Sequence, residues 1–225
     1  MRPTVPAPPG AAVALFGAAT ETAVRFASLL ATHGVERGLI GPREVPRLWE
    51  RHLLNCGVLA ELVPGEAEVV DIGSGAGLPG LVIAMLRPEV QMTLLEPMLR
   101  RTTFLGECVT ELGLGHVMVC RGRAEDMAGV IRADVAISRA VAPLGRLAEL
   151  SVGVVRPGGT ILALKGDHAQ TELDEAGPVL RHLSVQSAEV LRVGHGIVEP
   201  PATVVRIRVA GKARRRSRRP DTAAG

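Results

Sequence analysis

Aromatic side chains are nearly missing from this chain. Its 225 residues include no tyrosine, one tryptophan and three phenylalanines, at Trp49, Phe16, Phe26 and Phe104. That scarcity excludes recognition modules that stack successive bases on exposed aromatic platforms. Cysteine is also rare. Cys56, Cys108 and Cys120 form no Cys-x-x-Cys pair, which argues against a zinc site or a disulfide framework and fits a reducing cytoplasm. No metal is expected. Cys120 closes the apolar run 116–120 and reads as a small buried hydrophobe. No uncharged apolar run of about 18 residues occurs, because the Ala-rich stretch 10–31 is interrupted by Glu21 and Arg25. The opening MRPTVPAPPG lacks the continuous apolar segment of a signal peptide. A cytoplasmic protein without a membrane anchor is therefore expected.

Charge is present but unevenly placed. The formal net charge is +3. Residues 211–225 carry Lys212, Arg214, Arg215, Arg216, Arg218 and Arg219 against Asp221, so the tail holds +5 and the body −2. Such an arm finds phosphate backbones, a solubilising tail being the plainer alternative.

At 225 residues and 47% hydrophobic, the chain can bury one sizeable core with a small appendage, and one main domain is expected. Four segments are read: a disordered lead-in over 1–10, a helical N-terminal extension over 11–64, an α/β domain over 65–210, and the basic tail over 211–225, taken as disordered. In the extension, Val13, Phe16, Ala19, Ala23, Phe26, Leu29 and Leu30 follow helical spacing, and Trp49, Leu53, Cys56 and Leu59 resume it after Pro42 and Pro46. From Glu68 the pattern changes to short β-rich runs alternating with helical stretches: EVVDI, a helix over 78–86, VQMTLLE, a helix over 98–112, HVMVC, ADVAIS, a helix over 144–152, and GTILALK. Strand alternating with helix at this spacing means βαβ units and a parallel sheet. A helix over 170–183 follows, then runs 185–193 and 203–209 joined by the turn-rich GHGIVEPP, which permits an antiparallel hairpin on the sheet edge.

The run VVDIGSGAGLPG puts an apolar strand directly before a glycine-rich turn and a helix, the place where open α/β sheets bind nucleotides. Gly73, Gly75 and Gly77 run as G-x-G-x-G, with Leu78 at the third glycine position of the dinucleotide fingerprint, which weakens a NAD reading. Asp71, just before the loop, would repel a pyrophosphate but can serve the cationic methionine end of S-adenosylmethionine. Glu96 closes the second strand about twenty residues on, where a carboxylate accepts from ribose hydroxyls. RGRAED lies where an adenine edge would be read, by its amides or by Glu125 and Asp126; it can at the same time be a helix start with acidic residues in its first turn.

Together these residues resemble the bacterial small-subunit rRNA methyltransferase G family, also called glucose-inhibited division protein B. The similarity runs over 49–165, with DIGSGAGLPG, LLEP, RRTTFL, GRAED, ISRAVAPL and LALKG in the expected order. The resemblance implies a class I S-adenosylmethionine-dependent methyltransferase fold, Rossmann-like, with a mostly parallel seven-stranded sheet, an antiparallel edge hairpin and a helical N-terminal extension. It implies methyl transfer to N7 of guanine 527 in 16S rRNA, within the small ribosomal subunit. Carried over by position, Gly73 and Leu78 are loop contacts, Ala124 and Glu125 the adenine-side pair, and Arg139 the basic residue facing cofactor or substrate. RHLLN is similar to the family's RHxxDS stretch, with Asn55 and Cys56 in place of its Asp and Ser.

Guanine N7 has an in-plane lone pair and no proton to lose, so no general base is required, and the fourth strand ends in ISRAVAP rather than a DPPY-type motif. Alignment and exclusion of water carry such a reaction. Arg139, Arg51 and Lys165 are the expected holders of phosphate or the guanine O6 edge, with His52 beside Arg51. A monomer is preferred. The alternatives are a same-fold methyltransferase acting on a small molecule or protein, and a non-catalytic rRNA-binding or assembly factor.

Overall fold

The computed structural model describes residues 5–183 and 185–211. Seven strands form one sheet in the order β3-β2-β1-β4-β5-β7-β6. They are β1 Glu68–Ile72, β2 Gln91–Glu96, β3 Val117–Arg121, β4 Ala133–Arg139, β5 Val155–Lys165, β6 Val185–Val193 and β7 Ala202–Val209. The first five strands are parallel, while β7 runs antiparallel to both β5 and β6. This is the expected class I arrangement, its edge hairpin included.

The extension begins with α1 Gly10–Phe16 and α2 Thr20–Leu29, linked by a 3₁₀ turn. The 25-residue stretch Gly10–Gly34 holds an 18-residue window of mean hydropathy 1.3 and is long and apolar enough to cross a membrane by length and composition. In the fold it is amphipathic: Phe16, Ala23, Phe26 and Leu30 enter the core while Glu21 and Arg25 stay exposed. A 3₁₀ segment, Pro42–Arg47, leads into the wider π-helical turns of Leu48–Leu54, then α3 Asn55–Gly57 and a 3₁₀ turn, Val58–Leu62. Of the expected lead-in, residues 1–4 lie outside the described residues. Val5 instead packs against the core and the Pro6 carbonyl accepts from the Trp49 indole at 2.8 Å, so the chain is anchored before α1 begins. Residues 212–225, most of the expected tail, also lie outside the described residues.

Helices α4 Gly80–Leu86 and α5 Leu99–Leu112 cross over between β1, β2 and β3; α6 Leu144–Val152 and α7 Ala169–His182 follow β4 and β5. Both sheet faces are covered, so the central strands are apolar on both sides. Val69, Leu94, Ile137 and Leu162 pack with the extension, α4 and α5, whereas Val70, Leu95, Ala136 and Ile161 pack with α6 and α7. The order of strands reverses between β1 and β4. Loops leaving their carboxyl ends diverge there and open a crevice.

Candidate active site

The crevice is a cavity of about 310 Å³, within the range of about 300–1,000 Å³ usual for small-molecule sites. Gly73 after β1, Glu96 through Met98 after β2, Arg101 on α5, Gly122 to Glu125 after β3, and Ala140 and Val141 after β4 line it. Gly73, Glu96, Ala124 and Glu125, expected here from the sequence, all line it. Sequence reasoning does not single out Arg101 or Val141 individually, although the motifs RRTTFL and ISRAVAPL contain them.

The glycine loop is shaped by close approaches. Gly77 has φ +86, and an added Cβ would fall 2.4 Å from Leu81 Cδ1. At Gly80 an added Cβ would stand 2.4 Å from Leu94 Cδ2 and 2.6 Å from Asp71 Oδ2. No side chain fits either place. The Gly75 amide donates to Glu96 Oε2 at 3.0 Å and the Met98 amide to Glu96 Oε1 at 3.0 Å, so the Glu96 carboxylate, 1% exposed, clamps the two loops together at the cavity wall. Arg101 stands 3.5 Å from the same carboxylate. Neither Gly75, Gly77 nor Leu78 lines the cavity.

Asp71 lies beneath the loop, 0% exposed, rather than on the cavity wall. Its Oδ2 accepts from the Gly80 amide at 3.0 Å, tying down the start of α4, while Oδ1 is buried with no hydrogen-bond partner. Burial pushes its acid up to about 7, with the negative charge of Glu96 adding to it; the Gly80 amide and the nearby Ser74 hydroxyl pull the other way. A carboxylate on the cavity wall and a buried carboxyl beneath its glycine loop suit a ligand carrying hydroxyl groups and a cationic centre. Both features fit S-adenosylmethionine.

Beside this, Arg139 at the end of β4, expected to face cofactor or substrate, points toward the extension and does not line the cavity. Its Nη2 donates to His52 Nδ1 at 2.9 Å and its Nη1 to Cys56 Sγ at 3.2 Å. His52 Nε2 lies 2.9 Å from Glu44 Oε2, and Arg51 Nε 3.4 Å from the same oxygen. Burial, and then the charge of Arg139, hold the imidazole below its ordinary value against the pull of Glu44. Burial raises the Cys56 thiol. Glu44 was not foreseen, for nothing in its Pro-punctuated surroundings marks a side chain aimed at His52.

The four basic residues expected around substrate are thus divided. Arg51 is exposed on a second cavity of about 600 Å³, between the extension and the β6–β7 connection, with Arg47, Asn55 and Arg192 among its lining. His52 and Arg139 join each other. Lys165 turns inward, its ammonium donating to the Ala142 carbonyl at 2.9 Å and to Glu172 Oε2 at 2.7 Å, which fastens the loop after β4 to α7.

A family model described as rRNA small subunit methyltransferase G matches residues 19–198. The chain belongs to that family. The ribosomal RNA small subunit methyltransferase G of Thermobifida fusca is 56% identical over 202 residues, covering 90% of this chain and 85% of that protein. Its counterpart in Mycolicibacterium gilvum is 50% identical over 204 residues, 89% of each. Among solved structures, an S-adenosylmethionine-dependent O-methyltransferase from Thermotoga maritima has a TM-score of 0.54 at 14% identity, covering 71% of this chain and 66% of that one. An S-adenosylmethionine-dependent methyltransferase from Aquifex aeolicus has a TM-score of 0.54 at 17% identity, covering 76% and 100%. Fold and family agree, and the chain is a methyltransferase.

Proposed function

We propose that this chain transfers the methyl group of S-adenosylmethionine to N7 of guanine 527 in 16S rRNA, acting as a monomer on the small ribosomal subunit in the cytoplasm. The observation that carries the reading is the cavity at the β1/β4 switch point, with Glu96 and Gly73 on its wall, in a chain so similar to rRNA methyltransferases. When bound, the cofactor supplies an electrophilic methyl group. Glu96 accepts from ribose hydroxyls, the segment around Ala124 and Glu125 reads the adenine edge, and the loop at Gly73 follows the methionine portion, with Asp71 beneath it balancing positive charge.

Arg139, at the end of β4 next to the cavity-lining Ala140 and Val141, acts as a pinned cation that aligns an anionic or carbonyl group of cofactor or guanine rather than removing a proton. Arg51 meets RNA phosphate from the neighbouring cavity, and Lys165 acts by holding the 140–143 loop. Because N7 lies deep in the narrow major groove of an A-form helix, the target guanine must be unpaired or turned out. Calorimetric binding of S-adenosylmethionine to wild type and to Gly73→Val, followed by methyl transfer to small subunits lacking the modification, tests the reading. Binding abolished in the variant and N7-methylguanine formed by wild type support it. Binding without transfer would overturn the substrate, and no binding would overturn the cofactor.

A further inference from the structure

We propose that His52 is a positioning residue for methyl transfer: through Nδ1 it fixes the Arg139 guanidinium without neutralising it, and Glu44 selects the imidazole tautomer that makes this possible. The inference rests on the reading that Arg139 faces cofactor or substrate.

Hydrogen-bond accounting sets the roles. A guanidinium has only donors and stays protonated, so the 2.9 Å contact from Arg139 Nη2 requires His52 Nδ1 to offer a lone pair. The ring proton must then sit on Nε2, where Glu44 Oε2 accepts it at 2.9 Å. Both contacts form together only in the neutral Nε2–H tautomer. Arg139 Nη1 rests on a second neutral acceptor, Cys56 Sγ. Arg37, Arg87 and Arg101 each pair with a carboxylate, whereas among the described residues Arg139 has no carboxylate within ion-pair distance. A carboxylate at position 52 would also hold the arginine but would cancel the charge it offers to an anionic group. His52 is 7% exposed, so this acceptor is shielded from competing water.

The arrangement also gives the N-terminal extension a part in the chemistry. Its Leu48–Leu54 segment delivers an acceptor to the carboxyl end of β4, next to the loop that lines the cofactor cavity. The charged and titratable groups around His52 are Glu44 and Arg51 from the extension and Arg139 from β4, with Arg47 near Glu44, and Cys56 and Asp71 beyond the guanidinium.

The test is methyl transfer to unmodified small subunits, with kcat and KM measured across pH for wild type, H52A, H52N, H52D and R139A. Asparagine puts a neutral carboxamide oxygen near the place of Nδ1; aspartate puts a charged one there. We expect H52A to lower kcat at least about ten-fold, a misplacement effect, with KM for the subunit unchanged. H52N should restore kcat to within about three-fold of wild type and H52D should not, since orientation without charge cancellation is what asparagine alone supplies. Wild-type kcat should fall on the acid side as Nδ1 takes a proton and stops accepting, and the fall should be shallower in H52N, where Asp71 alone of the two still titrates. Wild-type kcat in H52A, equal losses in H52A and H52N, or an acid limb identical in wild type and H52N would overturn the inference. R139A separates the two ideas: full turnover there overturns the reading of Arg139, whereas impaired R139A with unimpaired H52A overturns the role of His52 alone.

Discussion

Replacing Asp71 by asparagine should remove a specific pH dependence from the stability of the ligand-free protein. Asp71 is 0% exposed and its acid is pushed from 3.8 to about 7. Between these values the folded chain keeps a proton that the unfolded chain has lost. Stability therefore falls as pH rises, by about 1.4 kcal/mol per pH unit, and the loss levels off above pH 7 at about 4 kcal/mol. Asparagine has nothing to titrate. Its carboxamide oxygen can keep the bond from the Gly80 amide, which turns the NH₂ toward the place of the unpartnered Oδ1. That buried donor costs about 1–3 kcal/mol, but equally at every pH.

The informative quantity is accordingly the change with pH rather than the offset. Urea unfolding at pH 5 and pH 8 should show the stability difference, asparagine minus wild type, growing by about 3 kcal/mol over that interval. A difference constant with pH would refute the account of Asp71 as a buried acid and would mean that it is ionised throughout. Saturating S-adenosylmethionine offers a second arm. A cationic group near the carboxylate favours its charged form, so binding near pH 7 should release a proton, seen as a dependence of the calorimetric enthalpy on the buffer's ionisation heat.

Four further outcomes are expected. Arg139→Ala should lower turnover at least about ten-fold while the urea transition stays cooperative; unchanged methylation by the folded variant would remove Arg139 from the site. Gly80→Ala should abolish cofactor binding in calorimetry, because its Cβ would stand 2.4 Å from Leu94 and 2.6 Å from Asp71, and wild-type affinity would show that the loop relaxes freely. Phe26→Ala should cost about 3–5 kcal/mol in urea unfolding, since the ring is 0% exposed; a cost under about 1 kcal/mol would mean that the extension is not part of the cooperative core. Deleting residues 212–225 removes six basic side chains, so the plot of log affinity for rRNA against log salt should flatten by as much as about 4, and an unaltered slope would leave the tail without phosphate contacts.

Where structure depends on neighbours in the chain, it was legible. The helix expected over 144–152 is α6, and the strand read at 185–193 is β6, because period and turn residues are local signals. The helix expected from residue 78 begins instead at Gly80. Residues 73–79 are used up in the turn, and the amide at 80 goes to Asp71, a contact across nine residues that no helical periodicity contains. Asp71 itself reads as a ligand contact from its place before the loop. Alternation along β1 puts it on the same face as Val69, but since both faces of this sheet are covered, alternation could not tell whether that face opened on a cavity or on packed side chains.

The RHLLN segment marks the deeper limit. As sequence it offers two basic residues side by side, and both read as RNA contacts. The wide turns of Leu48–Leu54 send them to different environments: Arg51 to an exposed cavity, His52 to a guanidinium 87 residues away. What decides the chemistry of His52 is therefore the donor that reaches Nδ1 and the acceptor that reaches Nε2, supplied by β4 and by a 3₁₀ segment with no pattern linking them. A histidine next to an arginine has an ordinary basic character in solution; packed under Arg139 it becomes an acceptor, and the same side chain that would have bound phosphate when charged works here by staying neutral.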